Sequence, residues 1–173
     1  MKIVMIYDQV QSGQGTKDDR MVPLSGTRSV IGPAIMMKPF LKELEEKVIA
    51  CLTCGTGTYE ENPEEVTRKL CAMAIKLNPD VVICGPSFNY PDYSNMCAKL
   101  AMDIRVKTGI PAVAAMSEEN AAVIKEYKKK LPIVKVPKKG DGGLNTALKN
   151  LCLAAQAAAR KEEKDLAERK ICY

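Results

Sequence analysis

The feature that most constrains the fold is the alternation of short apolar runs with longer segments of helical periodicity. The apolar runs lie at positions 2–7, 48–53, 81–84, 112–115 and 133–136. The segments with helical spacing lie at 31–46, 63–77, 92–109, about 121–129 and 144 to about 167. Short strands that alternate with helices of about ten or more residues predict βαβ units and therefore a parallel sheet.

This pattern predicts one α/β domain over residues 1–173, a length sufficient for one core. We expect a three-layer αβα sandwich with a five-stranded, mostly parallel sheet of the flavodoxin-like or Rossmann-like type, in the strand order 2-1-3-4-5. Right-handed crossovers would place the loops after strands 1 to 4 on one edge. Ligands bind at the carboxyl edge of such sheets.

Composition excludes several classes of function. The chain has no histidine, which removes Ser-His-Asp and Cys-His catalysis and every histidine-containing metal site, and we expect no metal. No run approaches the roughly 20 apolar residues that a membrane-spanning helix needs. The N-terminus resembles a first strand and not a signal peptide. We therefore expect a cytoplasmic protein. Seven lysines lie between positions 125 and 139, and we interpret them as a solvated surface. Nucleic-acid binding would favour aromatic residues among the basic ones, but the chain has no Trp and only two Phe, so we do not expect it.

The long connection at 8–32 is rich in Gly, Ser, Asp and Gln. It contains Gly13-Gln14-Gly15, but the third glycine of a dinucleotide-binding fingerprint is missing and no helix is expected to start there. A loop of this length in a compact domain is usually a lid, a binding loop or an interface segment.

The segment 48–66, VIACLTCGTGTYEENPEEV, holds the pair Cys51-x-x-Cys54. Three interpretations are open: a structural pair with Cys51 in the core, a redox role through Cys54 alone, or a metal site. A dithiol redox motif favours a helix start at the first cysteine, whereas we expect no helix before Asn62. A zinc site needs a second pair, which the chain lacks. Cys54 is therefore the candidate catalytic residue.

A tripeptide is repeated, as Glu60-Glu61-Asn62 and Glu118-Glu119-Asn120. We expect each copy to open a helix, where capping and acid placement at the N-terminus explain it. Alternatively, four carboxylates and two amides crowd one edge of the sheet and receive an ammonium group or a basic partner.

Several short motifs occur in an order that resembles a known family. They are the start MKIVMIYDQ with a glycine-containing loop, Ile31-Gly32-Pro33, Cys54-Gly55 followed by Tyr59, Glu61 and Asn62, Gly85-Pro86-Ser87-Phe88-Asn89, Gly109-Ile110-Pro111-Ala112-Val113, and Met116-Ser117-Glu118-Glu119-Asn120. In this order the chain resembles the N-terminal region of the selenoprotein B subunit of the glycine, sarcosine and betaine reductases.

The resemblance implies a role in the anaerobic reductive cleavage of a small amino acid or N-methylated amine. In that family a pyruvoyl group on a partner subunit takes up the substrate and a selenol displaces the amine. The family's selenocysteine lies in a later region than Tyr173, so we expect a fragment, a split subunit or a stand-alone homologue of the N-terminal half. It would carry no cofactor of its own, act with other subunits of a reductase complex, and not turn over substrate alone.

The resemblance also marks candidate residues for binding substrate or partner, and the predicted strand order places them at the carboxyl edge of the sheet. They are Gly55, Tyr59, Glu61, Asn62, Gly85, Ser87, Phe88, Asn89, Glu119 and Asn120. Tight turns and helix caps would also explain these residues.

Two alternatives remain open. A flavodoxin-like module that binds flavin or an anion is suggested by the glycines at 13, 15, 55, 57 and 85, since backbone N–H groups near helix starts hold anions. An assembly protein without catalysis, forming a homo-oligomer, is suggested by the Ala- and Leu-rich stripe of the last helix.

Overall fold

A computed structural model describes residues 1–166 and 168–173 in full, and at residue 167 the backbone alone. The strands are Lys2–Tyr7 (β1), Ser25–Thr27 (β2), Lys47–Thr53 (β3), Val81–Cys84 (β4), Ala112–Met116 (β5) and Ile133–Lys135 (β6). The helices are Pro33–Glu43 (α1), Thr56–Glu61 (α2), Pro63–Leu77 (α3), Pro91–Thr108 (α4), Ala121–Tyr127 (α5), Leu144–Arg160 (α6) and Lys164–Glu168 (α7).

The sheet has the order β2-β3-β1-β4-β5-β6, and every neighbouring pair is parallel except β2 with β3. The α/β class with a mostly parallel sheet is confirmed. The strand count and order differ from the prediction because β2, which lies in the connection predicted at 8–32, adds an antiparallel edge strand. The other five strands keep the predicted relative order.

Side chains on the central strand alternate between two apolar layers. Ile3, Met5 and Tyr7 pack in one layer with α1 and α6. Val4 and Ile6 pack in the other, with α3 and α4. Because successive residues of a strand point to opposite faces, this alternation produces the three-layer sandwich.

Helix α3 has the predicted boundaries because local signals define both of its ends. The Asn62 side chain accepts a hydrogen bond from the N–H of Glu65 at 3.3 Å, and Pro63 occupies the first turn. Asn78 ends the helix in the left-handed conformation, with φ of 48°. Side-chain capping and a left-handed terminal residue are the usual boundaries of a helix.

Three helix predictions are corrected. Helix α1 covers Pro33–Glu43, a shorter range than 31–46. Helix α2 begins at Thr56, although no helix was expected before Asn62. The last predicted helix ends at Arg160, where Lys161 takes a positive φ of 61°, and α7 follows as a separate element.

The C-terminal residues 171–173 run along the outer edge of β6. The N–H of Lys135 donates to the carbonyl of Ile171 at 3.0 Å, and the N–H of Tyr173 donates to the carbonyl of Ile133 at 3.1 Å. The segment therefore covers the edge strand, which would otherwise expose unpaired backbone groups. Within the part of the chain that the structure describes, no helix is both long and apolar enough to cross a bilayer.

Glu46 is a buried carboxylate immediately before β3, at the end of the sheet opposite the carboxyl edge. Burial raises its pKa to about 7, against the lowering effects of the N-terminal ammonium group, Gln156 and Arg160. Its Oε1 accepts a hydrogen bond from Gln156 Nε2 at 3.2 Å. Its Oε2 has no hydrogen-bond partner among the described residues.

We expect Glu46→Gln to remove a pH dependence of stability. The pKa of Glu46 in the folded protein, about 7, lies above its ordinary value of 4.5, so between these values only the folded state keeps the proton. The free energy of unfolding of the wild type therefore falls by about 1–3 kcal/mol as the pH rises through this window.

Denaturant unfolding at pH 5 and pH 8 measures this effect. The difference between the two pH values should shrink in Glu46→Gln, whereas the exposed neighbour Glu45→Gln should behave as wild type. Equal pH dependence in wild type and Glu46→Gln would contradict the prediction.

Candidate functional site

Five parallel strands end at one edge of the sheet, which we call the rim. The rim consists of the segments 8–11, 54–56, 85–89, 117–120 and 136–143, which follow β1, β3, β4, β5 and β6. The chain leaves β1 toward β3 on one side and leaves β4 toward β5 on the other. The switch point between β1 and β4 is where open α/β sheets bind ligands.

The loops after β4 and β5 are joined by hydrogen bonds around Phe88. The carbonyl of Phe88 accepts from the N–H of Ser117 at 2.9 Å and from Asn120 Nδ2 at 2.7 Å. Asn120 Nδ2 also donates to the carbonyl of Ser117 at 3.2 Å. Asn120 is buried, so its amide acts as a clamp between the two loops.

Asn89 joins the loop after β4 to the loop after β6. Its Oδ1 accepts from the N–H of Lys139 at 2.9 Å. The ammonium group of Lys139 lies 5.7 Å from the centre of the Tyr90 ring. The loops after β4, β5 and β6 therefore form one connected unit.

Two adjoining depressions open in this unit, and together we call them the rim cleft. The first, of about 300 Å³, is lined by Val10, Gln11, Phe88, Leu144 and residues 137–141. The second, of about 440 Å³, is lined by Ser117, Glu118, Glu119, Lys135, Val136, Pro137, Lys138, Asp141 and Tyr173. Pro137, Lys138 and Asp141 line both. The second depression brings carboxylates and ammonium groups together.

A further cavity of about 380 Å³ lies at the other end of the molecule. Its lining includes Arg105, Gly109, Lys161 and Glu163. Arg105 and Glu163 form an ion pair of 2.7 Å there. None of the predicted site residues lines this cavity, so we place the site at the rim.

The loop after β3 is covered by the segment 20–22 of the long connection. The N–H of Gly55 donates to the carbonyl of Val22 at 2.9 Å, and the N–H groups of Gly57 and Thr58 donate to the carbonyl of Arg20 at 2.9 and 3.2 Å. A Cβ on Gly55 would lie 2.2 Å from the carbonyl oxygen of Arg20. These glycines therefore permit close backbone packing, and their N–H groups are occupied and do not face an anion.

Arg20 fixes this cover and was not singled out by the sequence. Its Nε donates to Thr56 Oγ1 at 3.2 Å. Its guanidinium forms ion pairs with Glu60 and, at 3.2 Å, with Asp92 at the start of α4. The available signal was an arginine placed directly after Asp18 and Asp19 in a connection otherwise rich in small and polar residues.

Cys54 is completely buried. Burial raises the pKa of its thiol to about 11 and also raises the pKa of Cys51. The thiolate is the reactive form, so both thiols are inert at neutral pH in this conformation. The structural interpretation of the pair is favoured, and a catalytic role for Cys54 stays a prediction that its surroundings do not support.

The two Glu-Glu-Asn tripeptides have different roles. Glu60 and Glu61 end α2 and do not open a helix, and Asn62 caps α3. In the second copy, a 3₁₀ turn, the Asn120 side chain does not cap and instead joins two loops. Three strand spacings, roughly 14 Å, separate β3 from β5. The strand order therefore does not favour the alternative in which the four carboxylates crowd together.

The remaining predicted residues fall into two groups. Gly85, Ser87, Phe88, Asn89, Glu119 and Asn120 lie together where the loops after β4 and β5 meet. Gly55, Tyr59, Glu61 and Asn62 lie on the β3 side, and burial raises the pKa of Tyr59. Glu119 has a pKa below its usual range, chiefly because of the Ser117 hydroxyl.

Metal binding has no visible site in the described part of the chain. There, no group of three or more Cys, Asp or Glu side chains is arranged to hold an ion.

A family model described as "Glycine/sarcosine/betaine reductase selenoprotein B (GRDB)" matches residues 1–171. The chain is similar to proteins named "Glycine reductase complex component B subunit gamma" from three organisms. It is 31% identical to the protein of Carboxydothermus hydrogenoformans over 76% of the chain, and 32% identical to that of Symbiobacterium thermophilum over 71% of the chain. It is 30% identical to the protein of Peptoclostridium acidaminophilum over 94% of the chain. These alignments cover 30%, 28% and 36% of the relatives, so the chain spans about a third of their length. No solved structure matches.

We expect Asn120→Ala to loosen the loops after β4 and β5. The change removes two buried hydrogen bonds and should lower the free energy of unfolding by about 1–3 kcal/mol. Hydrogen exchange should rise at the N–H groups of Ser87 and Ser117.

Asn62→Ala, in the other copy of the tripeptide, is the matched control. It should lower the free energy of unfolding by about 1 kcal/mol and raise hydrogen exchange only in the first turn of α3. Unchanged exchange at Ser117 in Asn120→Ala would refute the clamp.

We expect the folded protein to resist thiol labelling. All seven cysteines are buried free thiols, so an aromatic disulfide reagent at pH 8 should react at least 100-fold more slowly with the folded protein than with the protein in denaturant. Cys54→Ser should not change the folded-state signal. Fast labelling that Cys54→Ser abolishes would restore Cys54 as a nucleophile.

Proposed function

The chain belongs to the glycine/sarcosine/betaine reductase selenoprotein B family, and from this membership we propose that it serves as a component-B-type subunit region of a reductase complex. In this proposal the rim cleft binds a small amino acid or N-methylated amine, and the rim docks a partner that bears a pyruvoyl group.

One observation carries the proposal. Six residues by which the chain resembles the family meet where the loops after β4 and β5 join, beside the switch point of the sheet. Phe88 lines one depression of the rim cleft and Glu119 lines the other. A function common to the family is therefore expected at this place in the fold.

The chemistry of the rim cleft fits a small zwitterion. Glu118, Glu119 and Asp141 offer carboxylates to an ammonium or methylated amine, and Lys135 and Lys138 offer ammonium groups to a carboxylate. The depressions, of about 300 and 440 Å³, are small for ligand sites. Both features favour glycine, sarcosine or betaine over a nucleotide or flavin.

The proposal assigns binding and orientation to this chain. The pyruvoyl carbonyl and the selenol, which supply the electrophile and the nucleophile in this chemistry, belong to other chains or regions. The chain's own thiols do not fit the nucleophile, because burial raises the pKa of all seven.

Exposed apolar side chains beside the rim support partner docking. Met21, in the covering segment, is 54% exposed, and Ile35 and Met36, in the first turn of α1, are 51% and 47% exposed. The N–H of Ala34 donates to the Tyr7 hydroxyl at 3.0 Å, which fixes the start of α1 at the rim. The proposal places the complex in the cytoplasm, since seven unpaired thiols suit a reducing compartment.

A binding experiment tests the substrate part of the proposal. Glycine, sarcosine, betaine and flavin mononucleotide are titrated by calorimetry into the chain, alone and mixed with a pyruvoyl-bearing subunit. Glu119→Gln and Lys138→Gln should each weaken binding of the amino acid about 5–10-fold, because each removes one charged contact.

Glu45→Gln and Lys76→Gln, at exposed sites outside the rim cleft, are the matched controls and should bind as wild type. Binding of the flavin alone would overturn the proposal in favour of the flavodoxin-like alternative. Equal effects of rim and control variants would remove the site from the rim cleft.

A further inference from the structure

A dense set of lysines extends from the rim cleft along the last strand of the sheet. We call it the lysine surface: Lys125, Lys128, Lys129, Lys130, Lys135, Lys138 and Lys139. All seven are exposed. Residues 123–140 contain these seven lysines and a single acid, Glu126, whereas the whole chain has a formal net charge of +5. The surplus of positive charge therefore lies almost entirely in this segment.

The lysines form one continuous surface around the C-terminal tyrosine. Lys128, Lys129 and Lys130 line a depression that Tyr173 also lines. Lys135 and Lys138 line the rim cleft on the other side of Tyr173. The ammonium group of Lys135 lies 5.5 Å from the centre of the Tyr173 ring. The surface thus runs from the end of α5 along β6 to the rim.

The charge of this surface is not neutralised within the molecule. Among the ion pairs of the described residues, none includes a lysine of the surface. Glu163, which lines the same depression as Lys128, is paired with Arg105 at 2.7 Å. At the rim, Glu118, Glu119 and Asp141 line the same depression as Lys135 and Lys138. The end formed by residues 125–130 holds four lysines and one glutamate and therefore keeps a net positive charge.

From this charge and its exposure we propose that the lysine surface docks an acidic protein surface, that of another subunit of the reductase complex. The inference rests on the proposed function, to which it adds the chemistry and the location of the partner. Continuity with the rim cleft supports it, since a subunit seated on the lysines would also reach the cleft.

A protein fits the surface better than a nucleic acid or a membrane. The tyrosines that could stack on bases are each approached by a lysine, at 5.5 Å for Tyr127, 5.5 Å for Tyr173 and 5.7 Å for Tyr90. The segment contains no arginine, the residue preferred for two-point phosphate contacts. None of the exposed large apolar residues lies in the segment, so it lacks a membrane anchor.

Association kinetics with charge-reversal variants test the proposal. The full chain carrying Lys128→Glu, Lys129→Glu and Lys130→Glu is compared with wild type for binding to the pyruvoyl-bearing and other reductase subunits. The control carries Lys47→Glu, Lys76→Glu and Lys107→Glu, which are exposed and lie outside the lysine surface.

The surface variant should associate about 10–100-fold more slowly at 50 mM salt and less than about 3-fold more slowly at 500 mM, because salt screens steering. The control should change less than about 3-fold at both. A Lys→Gln triple variant at 128, 129 and 130 should be intermediate, and thermal unfolding verifies that each variant is folded.

The outcomes separate the inference from the function on which it rests. If wild type binds no reductase subunit, the proposed function and the inference both fail. If wild type binds and the surface variant binds equally fast, the inference alone fails. Duplex DNA and vesicles with one-third anionic lipid are titrated in parallel. If the variant loses affinity for either while its subunit binding is unchanged, the surface belongs to that ligand and the inference is overturned.

Discussion

The burial of β1 on both faces is the constraint on which the rest of the structure depends. Residues Ile3 to Tyr7 are each at most 1% exposed, and successive side chains enter opposite apolar layers. A shift of one residue would exchange every side chain between the layers. The strand therefore has one register, and that register fixes where its carboxyl end lies. Because the neighbouring strands β3 and β4 are parallel to β1, their following loops must meet at the same rim.

The parts of the fold that local sequence could predict are those with local causes. Helix α3 has a side-chain cap at Asn62, a proline at its start and a left-handed residue at its end, and its bounds were predicted. Strand β2 has three residues and is held through backbone pairing with β3, which leaves no apolar pattern to detect. The break at Lys161 has neither glycine nor proline, and the Lys and Glu residues around it are good helix formers, so no local signal marked it.

The same distinction between local causes and contacts with distant parts of the chain applies to the site. The position of the rim followed from strand order, so residues 85–89 and 117–120 were predicted to be close, and they are. The setting of Cys54 depended on Arg20 and Val22, which are more than 30 positions away in the chain and cover the loop after β3. The same cover accounts for Gly55 and Gly57, two of the glycines that suggested anion binding. The sequence also could not distinguish Asn120 from Asn62, because one amide joins two loops and the other caps a helix.

The distribution of charge separates two tasks along β6, the outer strand of the sheet. In the rim cleft, carboxylates and lysines lie together, an arrangement that favours a small molecule bearing both charges and gives little net field. Beyond it, the lysines of 125–130 have no neutralising partner among the described residues, so their field extends into solvent, and long-range fields act on encounter rates more than on final affinity. A small zwitterion gains little from that field because its own charges cancel. A large acidic surface gains in proportion to its charge. The rim cleft and the lysines of 125–130, at the two ends of β6, therefore suit two different ligands.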